Sequence, residues 1–361
     1  MVSKKVFKIG VLPGDGIGPE ITAEALKVLK TVEELDGNIS LDFTSFPWGC
    51  EYYLEHGVTM PADGLDTLKK FDALLMGAIG DPRVPDHIGA QTLIFTIRRG
   101  FDQYVNLRPV KRLPGAPYPL KEEKAIDMVF VRENVEGEYG DIGGRSYPGT
   151  PNEVVMQVSV FTRRETERVM RYAFSLARKR RKKVTSITKS NALKHSMVFW
   201  DEVFNAVSKE FPDVEAEHVL VDAMTMFLIR RPESFDVVVA SNLFGDILTD
   251  LASTLQGGLG FAPGGNVNPE KEFPSMFEPI HGSAPKYKGM NRANPIATIW
   301  AAAMMLDHIG LEEWSKRVVD AIAAVVKEGR IRTPDLGGKN TTSEMGDAIA
   351  QQLRIIAGKK A

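Results

Sequence analysis

Short apolar runs separated by longer amphipathic stretches predict an α/β protein built on a sheet of parallel character. Residues 6–12, 73–77, 127–132, 184–188, 218–221 and 236–240 form runs that are short, continuous and apolar, the pattern of strands covered on both faces. Helical periods such as 165–179 and 294–309 fill the longer gaps between several of them. The chain has 361 residues, 43% of them hydrophobic, enough to bury a substantial core as two domains or one large α/β unit.

The first run ends at Leu12. Pro13-Gly14-Asp15-Gly16-Ile17-Gly18 then reads as a turn, and Pro19 opens a helix that continues to about residue 32. Glycines at 14, 16 and 18 lack the G-x-G-x-x-G spacing of a dinucleotide fingerprint, which favours a plain strand-to-helix turn. Residues 138–161 are glycine-rich, carry Pro148 and Pro151, and end in an alternation around 154–158. That pattern suits a hairpin arm, and an exposed apolar hairpin needs a partner, usually a second subunit. The basic run 178–183 closes an amphipathic helix, where cations complement the dipole, and reads as a solvated helix end.

Forty-five basic and forty-seven acidic residues leave a formal charge of −2, so there is no overall pull towards nucleic acid or an anionic membrane. Cys50 is the single cysteine, which rules out an intrachain disulfide and fits a reducing compartment. The first apolar stretch is too short for a signal sequence, and no run approaches the length of a membrane helix. The expectation is a cytoplasmic protein with no nucleic-acid or membrane partner.

Glu278-Pro279-Ile280-His281-Gly282-Ser283-Ala284-Pro285, followed by Ala293-Asn294-Pro295, has almost no apolar period and suits a rigid loop presenting polar edges to a ligand. Asp246 and Asp250 fall on one face of a helix that starts after Ser241-Asn242. Two hard oxygen donors there suit Mg²⁺ or Mn²⁺, with Asp222 as a third, although an Asp pair at this spacing also serves capping or solvation. Arg98, Arg108 and Arg132 come from three segments, and guanidinium forks bind carboxylates bidentately. Surface ion pairing is the alternative for each taken singly. Lys189, at a strand end, could serve as a base and Tyr139 as a proton donor, with structural roles equally open to both.

Together these residues resemble the β-decarboxylating dehydrogenases, which include isopropylmalate, isocitrate, homoisocitrate and tartrate/D-malate dehydrogenases. The matching segments run in family order: LPGDGIGPE (12–20), NLRP (106–109), VRENVEGEY (131–139), TKSN (188–191), VDAM (221–224), SNLFGDILTDLAS (241–253), EPIHGSAP (278–285) and ANPIAT (293–298). The resemblance implies an isopropylmalate dehydrogenase-like, non-Rossmann fold of two domains sharing a continuous sheet. Residues 1–105 and 255–361 would form a large cofactor-binding domain. Residues 106–254 would form a small dimerisation and substrate domain, with a clasp arm at about 138–161. It further implies a homodimer with shared active sites. Arg98, Arg108 and Arg132 would hold the substrate carboxylates. Asp246, Asp250 and Asp222 of the partner subunit would hold Mg²⁺ or Mn²⁺, with K⁺ as a further candidate ion. Lys189, also from the partner, would be the base and Tyr139 the acid. Glu278, His281, Gly282, Ser283, Ala284, Pro285, Lys286, Tyr287 and Asn294 would line the NAD or NADP site. The implied reaction is metal-dependent, NAD(P)-linked oxidation of a (2R)-malate-type 2-hydroxy diacid followed by loss of CO₂.

Within the family, Val84-Pro85-Asp86-His87, Phe101 to Pro109 and Tyr52 to Gly57 are similar to the D-malate/tartrate subgroup. Isopropylmalate enzymes, the alternative, place paired leucines before the first arginine, where this chain has Ile94 and Phe95. D-malate/tartrate relatives typically carry tryptophan where Gln91 stands, at the position that reads the third substituent of the malate. Lys286-Tyr287 after HGSAP is similar to NADP-using isocitrate dehydrogenases and leans the expectation towards NADP⁺ or dual use. Thr333 to Gly338 instead resembles the NAD-using branch. A catalytically silent regulatory subunit is the reading outside enzymes, and retention of Lys189, Tyr139, the aspartates and the arginines argues against it.

Overall fold

The computed structural model describes residues 4–358. In chain order the elements are β1 (Lys5–Gly14), α1 (Gly18–Asp36), β2 (Ile39–Ser45), α2 (Cys50–His56), α3 (Gly64–Leu68), β3 (Ala73–Ala78), α4 (Asp86–Gly89) and α5 (Phe95–Gly100). There follow β4 (Val105–Lys111), β5 (Asp127–Glu133), β6 (Gly137–Ser146), β7 (Val154–Val160), α6 (Arg163–Arg178), β8 (Lys183–Thr188), α7 (Ser196–Ser208), β9 (Glu215–Leu220), α8 (Val221–Arg230) and β10 (Val237–Ala240). The chain ends through α9 (Asn242–Gln256), β11 (Pro263–Val267), β12 (Ser275–Pro279), α10 (Ile296–His308), α11 (Glu312–Glu328) and α12 (Thr342–Gly358).

These elements divide into two compact units: Met1–Gln103 with Lys111–Lys121 and Ser253–Ala361, and Tyr104–Val110 with Glu122–Ala252. Lys111–Lys121, expected in the second unit, groups with the first: Gly115 lies so close to the Val326 carbonyl that a Cβ there would sit 2.5 Å from it.

In the first unit the strands run in the order β2-β1-β3-β12-β11. β1 pairs in parallel with β2 and β3, and β12 in parallel with β3. β11 and β12 pair antiparallel, because seven residues are too few for a parallel crossover. Helices α1, α10, α11 and α12 pack on one another, and α10 also covers β3, β11 and β12. A core of Leu12, Leu74, Met76, Leu93, Ile97 and Met276 lies beneath α5. The glycine turn after β1 serves close packing: Gly16, at φ 60°, approaches Ser283 so closely that a Cβ would lie 2.1 Å from its carbonyl oxygen. Ile17 N–H donates to that same oxygen at 2.9 Å.

In the second unit the order is β4-β5-β10-β8-β9, with the pairs β5/β10, β10/β8 and β8/β9 parallel. α6 packs across β5, β8 and β10, burying Val169, Met170, Ala173, Phe174 and Ala177 at helical spacing. The strand expected at 218–221 starts earlier, at Glu215, and Val221 already opens α8. β6 and β7 form a separate two-stranded sheet. Both faces of this hairpin stay open within the chain, with Val155 67% and Met156 60% exposed.

The basic run is bound up in ion pairs rather than left to solvent. Arg178 pairs with Asp213 at 2.7 Å, Arg180 with Asp127 and Asp236, and Lys183 with Glu215 and Glu217. No described helix is long and apolar enough to cross a membrane.

Candidate active site

The candidate residues fall into two groups, one in each unit. In the second unit, β5 ends at Arg132, α9 begins at Asn242, and β4 carries Arg108. Arg108 and Arg132 are buried, at 6% and 1% exposure, so each guanidinium needs partners. Arg108 donates to Asn106 at 2.8 Å, Thr249 at 2.6 Å and Asp246 at 3.2 Å. Arg132 donates to Asn242 at 3.1 and 2.7 Å and to Asp246. Gly245 makes room for this: a Cβ there would lie 2.7 Å from Arg132 Cγ. The Tyr139 hydroxyl donates to Asp246 at 3.1 Å, and its ring lies 5.3 Å from the Arg132 guanidinium. Burial, reinforced by the Asp246 charge, raises the Tyr139 pKa, so the phenol stays protonated as a donor. Glu138 accepts from Leu243 N–H at 3.2 Å and steadies the start of α9.

Asp250 lies one turn beyond Asp246. Partial burial and the Asp246 charge raise its pKa, opposed by Arg108 and Arg132. Two carboxylates on one helical face, one resisting ionisation, are a donor set that a divalent cation would relieve. Asp222, in the first turn of α8, pairs instead with Lys189 at 2.7 Å, and this hydrogen bond lowers the Asp222 pKa. Among the described residues no group of three or more His, Cys, Asp or Glu side chains is gathered as a metal site. Within one chain, then, Asp222 does not join Asp246 and Asp250.

In the first unit Arg98 is 6% exposed and pairs with Glu278 at 2.8 Å; Glu278 also accepts from Asn266 at 2.7 Å. A cavity of about 590 Å³ is lined by His281, Gly282, Ala284, Tyr287 and Asn294, within the size range of ligand pockets. Glu278, Ser283, Pro285 and Lys286 are not in its lining. Glu278 is turned to Arg98, the Ser283 carbonyl is taken by Ile17, and the Lys286 ammonium lies 4.8 Å from the Tyr287 ring. Asn294 donates to Asp335 at 2.9 Å. Burial lowers the His281 pKa, which keeps the ring neutral near neutral pH. Ala284 has φ 40°, a left-handed conformation that costs energy in a residue other than glycine.

The lining also holds Ile17, Leu259, Arg292 and Asp335, which sequence reasoning did not assign to a site. Only Asp335 left a trace, inside the motif at 333–338. Of the apolar pair expected against substrate, Ile94 packs on the core beneath α5, and the Phe95 ring lies 5.5 Å from the Arg98 guanidinium.

Buried guanidiniums, paired aspartates and a protonated tyrosine in one unit, with a neutral-histidine cavity in the other, define an α/β enzyme suited to a small polyanion. The chain belongs to the isocitrate/isopropylmalate dehydrogenase family, which it matches over residues 8–349. It is 50% identical over 356 residues to a Bacillus subtilis (strain 168) protein named "Probable tartrate dehydrogenase/decarboxylase", covering 98% of this chain and 100% of that one. It is 49% identical over 357 residues to an Escherichia coli (strain K12) D-malate dehydrogenase [decarboxylating], covering 96% and 98%. Among solved structures, an isocitrate dehydrogenase from Methylococcus capsulatus superposes with a TM-score of 0.87 at 36% identity, covering 96% of this chain and 99% of that one.

Proposed function

We propose that this protein oxidises and decarboxylates a (2R)-malate-type 2-hydroxy diacid, D-malate or tartrate, using NAD(P)⁺ and Mg²⁺ or Mn²⁺. The observation that carries the reading is the buried cluster in which Arg108, Arg132 and Tyr139 all converge on Asp246. The relatives at about half identity support the same chemistry.

Arg108, Arg132 and Arg98 would hold the substrate carboxylates. Bidentate guanidinium pairing fixes both distance and orientation, which turns encounter into near-attack geometry. Asp246, Asp250 and Asp222 would hold the divalent ion, which when bound polarises the C2 oxygen. His281, Gly282, Ala284, Tyr287 and Asn294 would seat the dinucleotide, whose nicotinamide accepts the hydride. Lys189 would accept the C2 hydroxyl proton. After CO₂ leaves, Tyr139 would donate the proton that replaces it on C3.

Lys189 and Asp222 are paired with each other and do not join the Asp246 cluster of their own chain. They would serve the site of a second copy, which makes the working unit a homodimer. The open faces of the β6–β7 hairpin would be covered in the same assembly, since an isolated two-stranded hairpin is marginal in water. Lys286, beside the cavity, would favour the 2′-phosphate of NADP⁺. Isopropylmalate is disfavoured as substrate because Ile94 is already packed into the core.

The test is reduced-cofactor absorbance with D-malate, tartrate, isopropylmalate and isocitrate, each with NAD⁺ and NADP⁺, with Mn²⁺ or EDTA. Metal-dependent turnover of D-malate or tartrate is expected; preference for isopropylmalate would overturn the substrate assignment.

A further inference from the structure

The segment leading to Arg98 carries a group that this chemistry has not used. Between α4 and α5 the chain makes a π-helical turn over Ala90–Ile94. Phe95 N–H reaches back to the Ala90 carbonyl, and the Thr96 hydroxyl donates to the Gln91 carbonyl at 3.1 Å. Turns this wide are rare and concentrate at functional sites.

The turn is held rigidly. Leu93 and Ile97 are fully buried in the core of the first unit. The Thr92 hydroxyl bonds the Ile88 carbonyl at 2.7 Å and the Thr59 hydroxyl at 2.9 Å. Gly89 fits tightly too, since a Cβ there would lie 2.9 Å from both Cys50 Sγ and Ile79 Cγ2. A backbone fixed in this way presents a side chain with little freedom, as a recognition element requires.

Gln91 projects from this turn with its side-chain amide oxygen shut off from solvent and without a hydrogen-bond partner in the chain. Buried carbonyl oxygens are rarely left so. Gln91, Phe95 and Arg98 follow at spacings of four and three, which sets them along one face. The Phe95 ring lies 5.5 Å from the Arg98 guanidinium, which locates that face beside the proposed carboxylate anchor. An unpaired acceptor next to a carboxylate anchor suits a ligand that carries an O–H donor near its carboxylate.

We infer that Gln91 reads a hydroxyl on C3 of the diacid and makes the enzyme selective for a 3-hydroxy substrate, tartrate, over D-malate, which has only hydrogen there. The inference rests on the diacid reading above. A site built to bond a hydroxyl rejects the analogue lacking it far more strongly than an apolar pocket rejects a missing methylene. An apolar C3 substituent, as in isopropylmalate, would leave the amide oxygen buried and unpaired.

The test compares kcat/KM for tartrate and D-malate, with Mn²⁺, in the parent enzyme, in Gln91→Met and in Gln91→Asn. Methionine keeps the length and removes the amide, while asparagine keeps the amide and withdraws it. Thermal unfolding followed by circular dichroism checks that each variant folds. The expected result is a parent preference for tartrate and a tartrate-to-D-malate ratio at least about tenfold lower in Gln91→Met, with Gln91→Asn between them. A general loss of packing would lower both substrates together and leave the ratio alone. A ratio unchanged in both variants, or a parent preference for D-malate, overturns the role of Gln91 and leaves the diacid reading standing. A parent that turns over neither diacid overturns both.

Discussion

At the scale of single residues, charge placement carries most of the account. Asp246 accepts from two buried guanidiniums and a phenol, so neutralising it would strand Arg108 and Arg132. Lys286 is the residue on which cofactor choice turns. An ammonium beside the cavity attracts a 2′-phosphate, whereas an aspartate would repel it and offer acceptors to ribose hydroxyls. Lys286→Asp should therefore lower the kcat/KM ratio of NADP⁺ to NAD⁺ by at least about tenfold, or roughly 1.4 kcal/mol. Steady-state kinetics with both cofactors decide it, and an unmoved ratio would remove Lys286 from the phosphate site. Residue type alone made Arg98, Arg108, Arg132, Tyr139 and the aspartates legible as candidates, because few other side chains do anion and proton chemistry. Their supports were not legible. Asn106, Asn242 and Thr249 matter only because the fold turns them towards the arginines, and nothing local in the sequence marks that.

At the scale of elements, the junction from β5 to β6 stores a pH dependence. Glu133 is 2% exposed; one oxygen accepts from Val135 and Glu136 N–H at 2.7 and 3.0 Å, and the other has no partner. Burial pushes its pKa from 4.5 up to about 7, and Glu136, bonded to Thr162, is raised to about 7 chiefly by burial as well. A raised carboxyl pKa means that the native state holds its proton more tightly than the unfolded chain does. Its contribution is then most favourable below pH 4.5 and is lost as pH rises to about 7. Glu133→Gln, which cannot ionise, should gain stability relative to the parent across that window. Melting temperatures between pH 5 and 8 should diverge with rising pH; parallel curves would contradict the assignment. Among elements, the strands of the second unit were readable because burial on both faces writes a continuous apolar run. β11, Pro263-Gly264-Gly265-Asn266-Val267, was not readable, since its glycines and proline carry no strand signal and its pairing with β12 holds it extended. The turn over Ala90–Ile94 was hidden for a related reason: a π turn shifts the helical register and blurs the period that marks a helix.

At the scale of the whole molecule, the family membership explains why the glycine turn after β1 is not a dinucleotide fingerprint. Its glycines are spent on close backbone contacts, and the ligand cavity is built elsewhere, partly from Ile17, Leu259 and Arg292, which only tertiary structure brings together. The proposed sharing of active sites between two copies has a direct consequence. Lys189→Met and Asp246→Asn should each be inactive alone, yet co-refolding equal amounts should restore about a quarter of parent activity, because each hybrid dimer holds one intact site. No recovery would place each site within one chain. The central claim is oxidation coupled to decarboxylation. Its most direct measurement is isotopic: supply D-malate or tartrate labelled at C4 and count labelled CO₂ against reduced cofactor, with Mn²⁺ and then with EDTA. One CO₂ per reduced cofactor, with both abolished by EDTA, is the predicted result for at least one of the two diacids. Reduced cofactor without labelled CO₂, or turnover indifferent to EDTA, would contradict the account.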